Sequence, residues 1–148
     1  MAPFSNSGRV FKRVALTGLV LLVGIQFIPV ERTNPPVESD VPASMPVSQV
    51  LRRACYDCHS NETVWPWYSR VAPVSFLVAH DVNEGREHLN FSTWNRLTPA
   101  KQAEAVREIW KEVSEGEMPL AIYLPTHPDA RLSDQDKAVL EAWAKSAR

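Results

Sequence analysis

The chain has 148 residues, enough for one domain plus an appendage, and its 45% hydrophobic content argues against disorder throughout. The formal charge of −1 is unevenly spread: Arg9, Lys12 and Arg13 precede Glu31 with no acid among them, and the remainder has 13 Lys and Arg against 17 Asp and Glu, a formal −4. An acidic body argues against nucleic acid as a partner, and two cysteines are too few for a disulfide framework or a four-cysteine zinc site.

Residues 1–30 read as a membrane anchor. No charge interrupts residues 14–30. As a helix they rise about 25 Å, slightly less than a hydrocarbon core of about 30 Å. Phe11 can extend the stretch, and Arg9, Lys12 and Arg13 can snorkel. Because the basic flank comes first, the N-terminus is expected in the cytoplasm and the remainder in the periplasm. A cleaved signal peptide is the competing reading. The bulky run Phe27-Ile28-Pro29-Val30-Glu31 offers no small-x-small cleavage site, which favours the anchor. Residues 31–46 follow as an extended tether with Pro35, Pro36, Pro42 and Pro46.

Residues 47–148 form the domain. The first expected helix covers 47–55, where Val47, Val50, Leu51 and Ala54 recur at helical spacing. The second covers 73–85, with proline in its first turn and a stripe of Val74, Leu77, Val78 and Val82. Thr98 and Pro99 open the third, whose face is Ala103, Val106, Ile109, Trp110 and Val113, and Gly116 closes it. Ser133 caps the fourth, with Asp136 as capping-box partner and Val139, Leu140 and Trp143 on its buried face. No strand pattern is visible, so the fold class is all-α. Long connections at 61–72 and 117–132 are rich in Trp, Tyr and Pro, which suits wrapping a large flat cofactor.

The run Cys55-Tyr56-Asp57-Cys58-His59 is a C-x-x-C-H haem attachment pattern. Two thiols three residues apart on a helical turn point to one side and can both add to vinyl groups. The following histidine then falls near the haem centre as proximal iron ligand. The expected cofactor is one covalent haem c. A thioredoxin-type redox pair is the rival, but it belongs beside a βαβ pattern that is not visible. In bacteria covalent haem attachment is completed outside the cytoplasm, which agrees with export.

The motif sits within a longer resemblance. Cys55 to Asn61, Thr63, Trp65-Pro66-Trp67-Tyr68, Ala72-Pro73-Val74, Asp81-Val82, Gly85-Arg86, Leu89-Asn90-Phe91-Ser92, Gly116-Glu117-Met118-Pro119, Tyr123-Leu124, His127-Pro128 and Leu132-Ser133 carry it. In these residues the chain resembles the bacterial haem-binding domain family of small c-type cytochromes. The resemblance implies a cytochrome c-like helical fold, one haem c and often an N-terminal membrane segment; it supplies no substrate.

Class I cytochromes c take a methionine from a loop before the C-terminal helix as sixth ligand, and Met118 matches that position. Gly116 lets the chain leave the preceding helix, and Pro119 biases Met118 toward extended backbone. Met1 lies across the membrane and Met45 precedes the first helix. His80, His88 and His127 are rivals, and so is an open site. Trp65, Trp67 and Tyr68 can line the haem or donate to a propionate; packing within the loop is their plainer role. Arg70 and Arg86 can pair with propionates, or be solvated. Trp94, Trp110 and Trp143 read as structural residues at helical core positions, and Asp57 as solvent-facing. The leading function is electron transfer with redox partner proteins at the periplasmic face of a bacterial inner membrane. The alternative is an open-site haem protein, a peroxidase-like enzyme or a gas or redox sensor, in which His80, His127 or Arg70 serves distally. A third class is a haem domain acting as an assembly or sensory partner.

Overall fold

The computed structural model describes residues 7–147, so Met1, set aside above as an iron ligand, lies outside the described residues. The described residues form six α-helices with short 3-10 turns and no strand, which makes the protein all-α. Contacts divide the chain into two compact units, Met1–Arg32 with Pro66–His80, and Thr33–Trp65 with Asp81–Arg148.

The first unit contains α1 (Ser7–Gly24), which continues into a 3-10 turn, Ile25–Phe27. Gly8–Phe27 is long and apolar enough to cross a membrane, and none of its apolar window is buried. Gln26 interrupts the apolar run. Its side-chain amide donates to Leu22 O (2.9 Å) and Ala72 O (3.0 Å), and its Oε1 accepts from Ala72 N (3.0 Å). Arg32 Nη1 donates to Ser69 O (3.1 Å). These bonds tie the exit of α1 to the 3-10 turn Trp67–Arg70 and the residues before α4 (Val74–His88), whose first half belongs to this unit.

The second unit is the helical domain. The expected stripe of α2 (Met45–Ala54) is buried, with Pro46 in its first turn. A single-turn helix, α3 (Tyr56–His59), follows at once. Thr98 caps α5 (Pro99–Glu115) by accepting from Lys101 N, and Gly116 ends it at φ +81°, a left-handed conformation that favours glycine. Ser133 and Asp136 form the expected capping box of α6 (Asp134–Ser146). α6 packs on both α5 and α2, around a core that includes Leu51, Phe91, Val106 and Leu140.

Some details depart from the sequence reading. α4 does not stop at Gly85 but runs to His88, with Gly85 buried inside it. Trp94 is buried, but on the 3-10 segment Phe91–Arg96 rather than on a helix. Trp110 and Trp143 are half-buried and pack against the core. Residues 33–41 have no helix, and the polar residues between their prolines lash them to the second unit. Asn34 Nδ2 donates to Thr63 O (2.9 Å), Pro36 O accepts from Asn61 Nδ2 (2.9 Å), and Glu38 N and Ser39 N donate to Ser92 O (2.9 and 3.1 Å). Asp40 accepts from Tyr56 OH and pairs with Arg52.

Candidate cofactor site

α3 and the residues before it build the site. Cys55 N donates to Leu51 O (2.8 Å), so α2 hands the chain directly to the motif, and His59 N donates back to Cys55 O (2.9 Å). Cys55 and Cys58 are free thiols. Burial pushes the Cys55 thiol up to about 12 and the Cys58 thiol up to about 11. Neither has the depressed pKa of a reactive redox thiolate, so the electrostatics do not favour a thioredoxin-type pair.

His59 is held by two carbonyls, with Nδ1 2.9 Å from Gly85 O and 3.1 Å from Leu89 O. A carbonyl only accepts, so Nδ1 carries the ring proton and Nε2 keeps its lone pair. A backbone carbonyl that fixes the tautomer in this way prepares the other nitrogen for a metal. Burial holds His59 below its usual pKa, against the opposing pull of the two carbonyls. The ring also lies 6.0 Å from that of Phe91, between centroids.

Gly85 explains how α4 comes close enough. A Cβ at this position would stand 2.7 Å from Cys58 O and 3.1 Å from Cys58 C and Cβ. Glycine inside a helix costs about 1 kcal/mol relative to alanine, and here it permits the approach that puts Gly85 O and Leu89 O onto His59.

Two residues have roles the sequence reading missed. Asp57 is not turned to solvent: Oδ1 accepts from Val64 N (2.9 Å) and Oδ2 from Tyr123 OH (2.7 Å). The second bond fastens the loop after Met118 to the attachment turn. Arg86 is part-buried and makes contacts within the chain. It donates to Ser60 O (2.8 Å), Thr33 O (2.9 Å), Asn34 Oδ1 (2.9 Å) and Thr63 Oγ1 (2.8 Å), clamping the end of the motif to residues 33–34. The one sequence signal near the close approach was Gly85 itself, three residues beyond the last stripe residue Val82; no local signal marks Asp57 or Arg86.

Met118 is half-buried. Like Cys55 and Leu89, it packs against the core cluster that contains Tyr56 and Phe91. Its backbone is set by the end of α5, where Glu117 N and Met118 N both donate to Glu112 O (3.0 and 3.2 Å). Trp65 Nε1 donates to Asn34 Oδ1 (3.2 Å). Trp67, Tyr68 and Arg70 belong to the first unit with the end of α1, where the Trp67 ring meets Tyr68 edge-on at 5.8 Å. Among the rival histidines, His80 is exposed in the first unit, His88 is exposed beside Glu84 (3.7 Å), and His127 stacks on Tyr123 at 3.8 Å. The Trp94 Nε1 hydrogen is buried with no acceptor among the described residues, and Trp94 lies 6.4 Å from Phe91.

The donor set fits haem: an imidazole with Nε2 left free, two neutral thiols on the same turn and apolar packing around them. With its helical fold, this makes the chain an all-α haem protein. It belongs to the haem-binding domain family, whose model matches residues 20–146, from within α1 to the end of α6. No curated protein and no solved structure matches it.

Proposed function

We propose that the chain is a membrane-anchored c-type cytochrome with one covalent haem, carrying electrons between redox partner proteins at the periplasmic face of a bacterial inner membrane. The observation that carries this reading is the hold on His59, whose Nδ1 proton is committed to Gly85 O and Leu89 O one residue after the second thiol. When bound, haem supplies reversible one-electron iron chemistry. Cys55 and Cys58 would hold it through two thioether bonds to its vinyl groups. His59 Nε2 and the Met118 thioether would ligate its iron, and a thioether ligand would favour the ferrous state and raise the potential. Trp65, next in the chain to Val64, whose N–H bonds Asp57, is the aromatic residue we assign to the haem edge. The buried indole N–H of Trp94 adds a donor for a carboxylate of the cofactor. α1 anchors the domain, with Arg9, Lys12 and Arg13 on the cytoplasmic side.

Two measurements test the proposal. After denaturing electrophoresis the parent retains haem stain, and Cys55→Ala with Cys58→Ala abolishes it; stain lost from the parent on extraction would refute covalent attachment. The oxidised parent shows the weak long-wavelength sulfur-to-iron band, and the reduced protein binds carbon monoxide poorly. Met118→Ala removes the band, opens the iron and lowers the potential. A parent that binds carbon monoxide readily and is unchanged by Met118→Ala would replace the electron carrier with the open-site reading.

A further inference from the structure

Outside α1, the first unit has large apolar residues exposed between Trp67 and Leu77. Trp67 is 77% exposed, Val71 46%, Val74 43% and Leu77 43%. The large exposed apolar residues of the second unit, Val37, Met45, Val64 and Ile122, are instead scattered along the chain.

The depth of this surface follows from α1. Its span, Gly8–Phe27, has 20 residues and rises about 30 Å, which matches the hydrocarbon thickness. With Arg9, Lys12 and Arg13 snorkelling at the other end, a membrane-spanning α1 would bring Gln26 and Phe27 near the opposite hydrocarbon boundary. There Gln26 exchanges two hydrogen bonds with Ala72, each 3.0 Å, and Arg32 reaches Ser69 O. Ala72 therefore lies at the depth of Gln26. Trp67, Val71, Val74 and Leu77 are all within five residues of it along the chain.

We propose that residues 67–77 are a second membrane contact, seated in the headgroup region of the leaflet from which α1 emerges. The occupant of the apolar surface is the phospholipid bilayer itself, continuous with the lipid around α1. Tryptophan is favoured at that level because its ring is apolar and its N–H is polar. Exposed Arg70 on the same turn suits lipid phosphate. Trp67, Tyr68 and Arg70 then serve the membrane rather than the haem. The proposal rests on α1 spanning the bilayer.

The test uses the full haem-loaded chain in bilayers of phosphatidylethanolamine and phosphatidylglycerol. A benzophenone amino acid is incorporated singly at Trp67, Val71, Val74 or Leu77, at Leu19 within α1, and at Glu108 on α5, and lipid adducts are counted by mass spectrometry after irradiation. The expected result is adduct yields at 67, 71, 74 and 77 within about threefold of Leu19, and at least tenfold above Glu108. No lipid adduct at these four positions while Leu19 reacts would overturn the contact and leave the anchor standing. Adducts to a second copy or another protein, or equal yield at Glu108, would also overturn it. Failure at Leu19 would remove the anchor and the contact together.

Discussion

Replacing Gly85 by alanine tests the close approach of α4 to the attachment turn. The new Cβ would meet Cys58 O at 2.7 Å. Ordinary van der Waals contact begins at 3.4 Å, so α4 and α3 must separate by roughly half an ångström or more. Gly85 O and Leu89 O move with α4, and the bonds to His59 Nδ1, now 2.9 and 3.1 Å, stretch past the usual limit of about 3.2 Å. Overpacking of this kind costs about 1–3 kcal/mol, and the weakened hydrogen bond about another 1 kcal/mol. Against this stands about 1 kcal/mol gained from helix propensity. The net effect is a loss of about 1–3 kcal/mol, read by urea unfolding of the haem-loaded protein beside its parent. Melting should fall by about 4–8 °C for each kcal/mol. The sign decides the matter. An uncrowded glycine in a helix becomes more stable as alanine, so a Gly85→Ala protein as stable as its parent, or more so, would refute the crowding and with it the account of how His59 is held.

Two further outcomes follow from the hydrogen bonds around the site. Tyr123→Phe deletes the 2.7 Å bond to Asp57; it should cost about 1–2 kcal/mol and raise the carbon monoxide affinity of the reduced protein severalfold, measured by titration, whereas unchanged affinity would show that this bond does not hold the Met118 loop. Asp40→Asn tests the fastening of residues 33–41. Burial alone would raise the Asp40 pKa, but the bonds from Tyr56, Val41 N and Arg52 outweigh it and hold it below the ordinary value. A carboxylate lowered on folding stabilises fully above its unfolded pKa of about 3.9 and loses that contribution as pH falls through the lower folded value. Parent and Asp40→Asn should therefore differ by about 1 kcal/mol at pH 7, given the half-exposed pair, and converge below about pH 3.9. A gap independent of pH would remove charge from the explanation.

Helices α2, α5 and α6 were legible because their causes are local. A buried stripe at helical spacing, Thr98 before Pro99 and Ser133 before Asp136 each act within a few residues. The C-x-x-C-H run is local in the same way, since it brings two thiols and an imidazole onto one turn. What escaped depends on distance along the chain. Gly85 looked like a helix terminus because a glycine usually stops a helix; its reason lies 27 residues earlier, in the carbonyl of Cys58. Asp57 meets Tyr123 66 residues later. Arg86 ties residues 60 and 63 to residues 33 and 34. The prolines of residues 33–46 spelled an extended backbone, but not the partners that bind it.

The two sides of the proposed haem site therefore differ in how firmly they are built. His59 and both thiols come from one turn, and the imidazole is held by the backbone carbonyls of Gly85 and Leu89, which a substitution can displace but not delete. Met118 comes from a chain end of α5, and the loop beyond it is fastened to the attachment turn by Tyr123 on Asp57. A bond of about 1–2 kcal/mol changes the population of a detached loop by roughly tenfold, since 1.4 kcal/mol is a factor of ten in an equilibrium. On the proposed reading, the choice between a closed electron carrier and an open site is an equilibrium of this one loop. Substitutions in that loop should move carbon monoxide binding while leaving covalent attachment and His59 ligation intact, and substitutions at Gly85 should disturb the proximal side first.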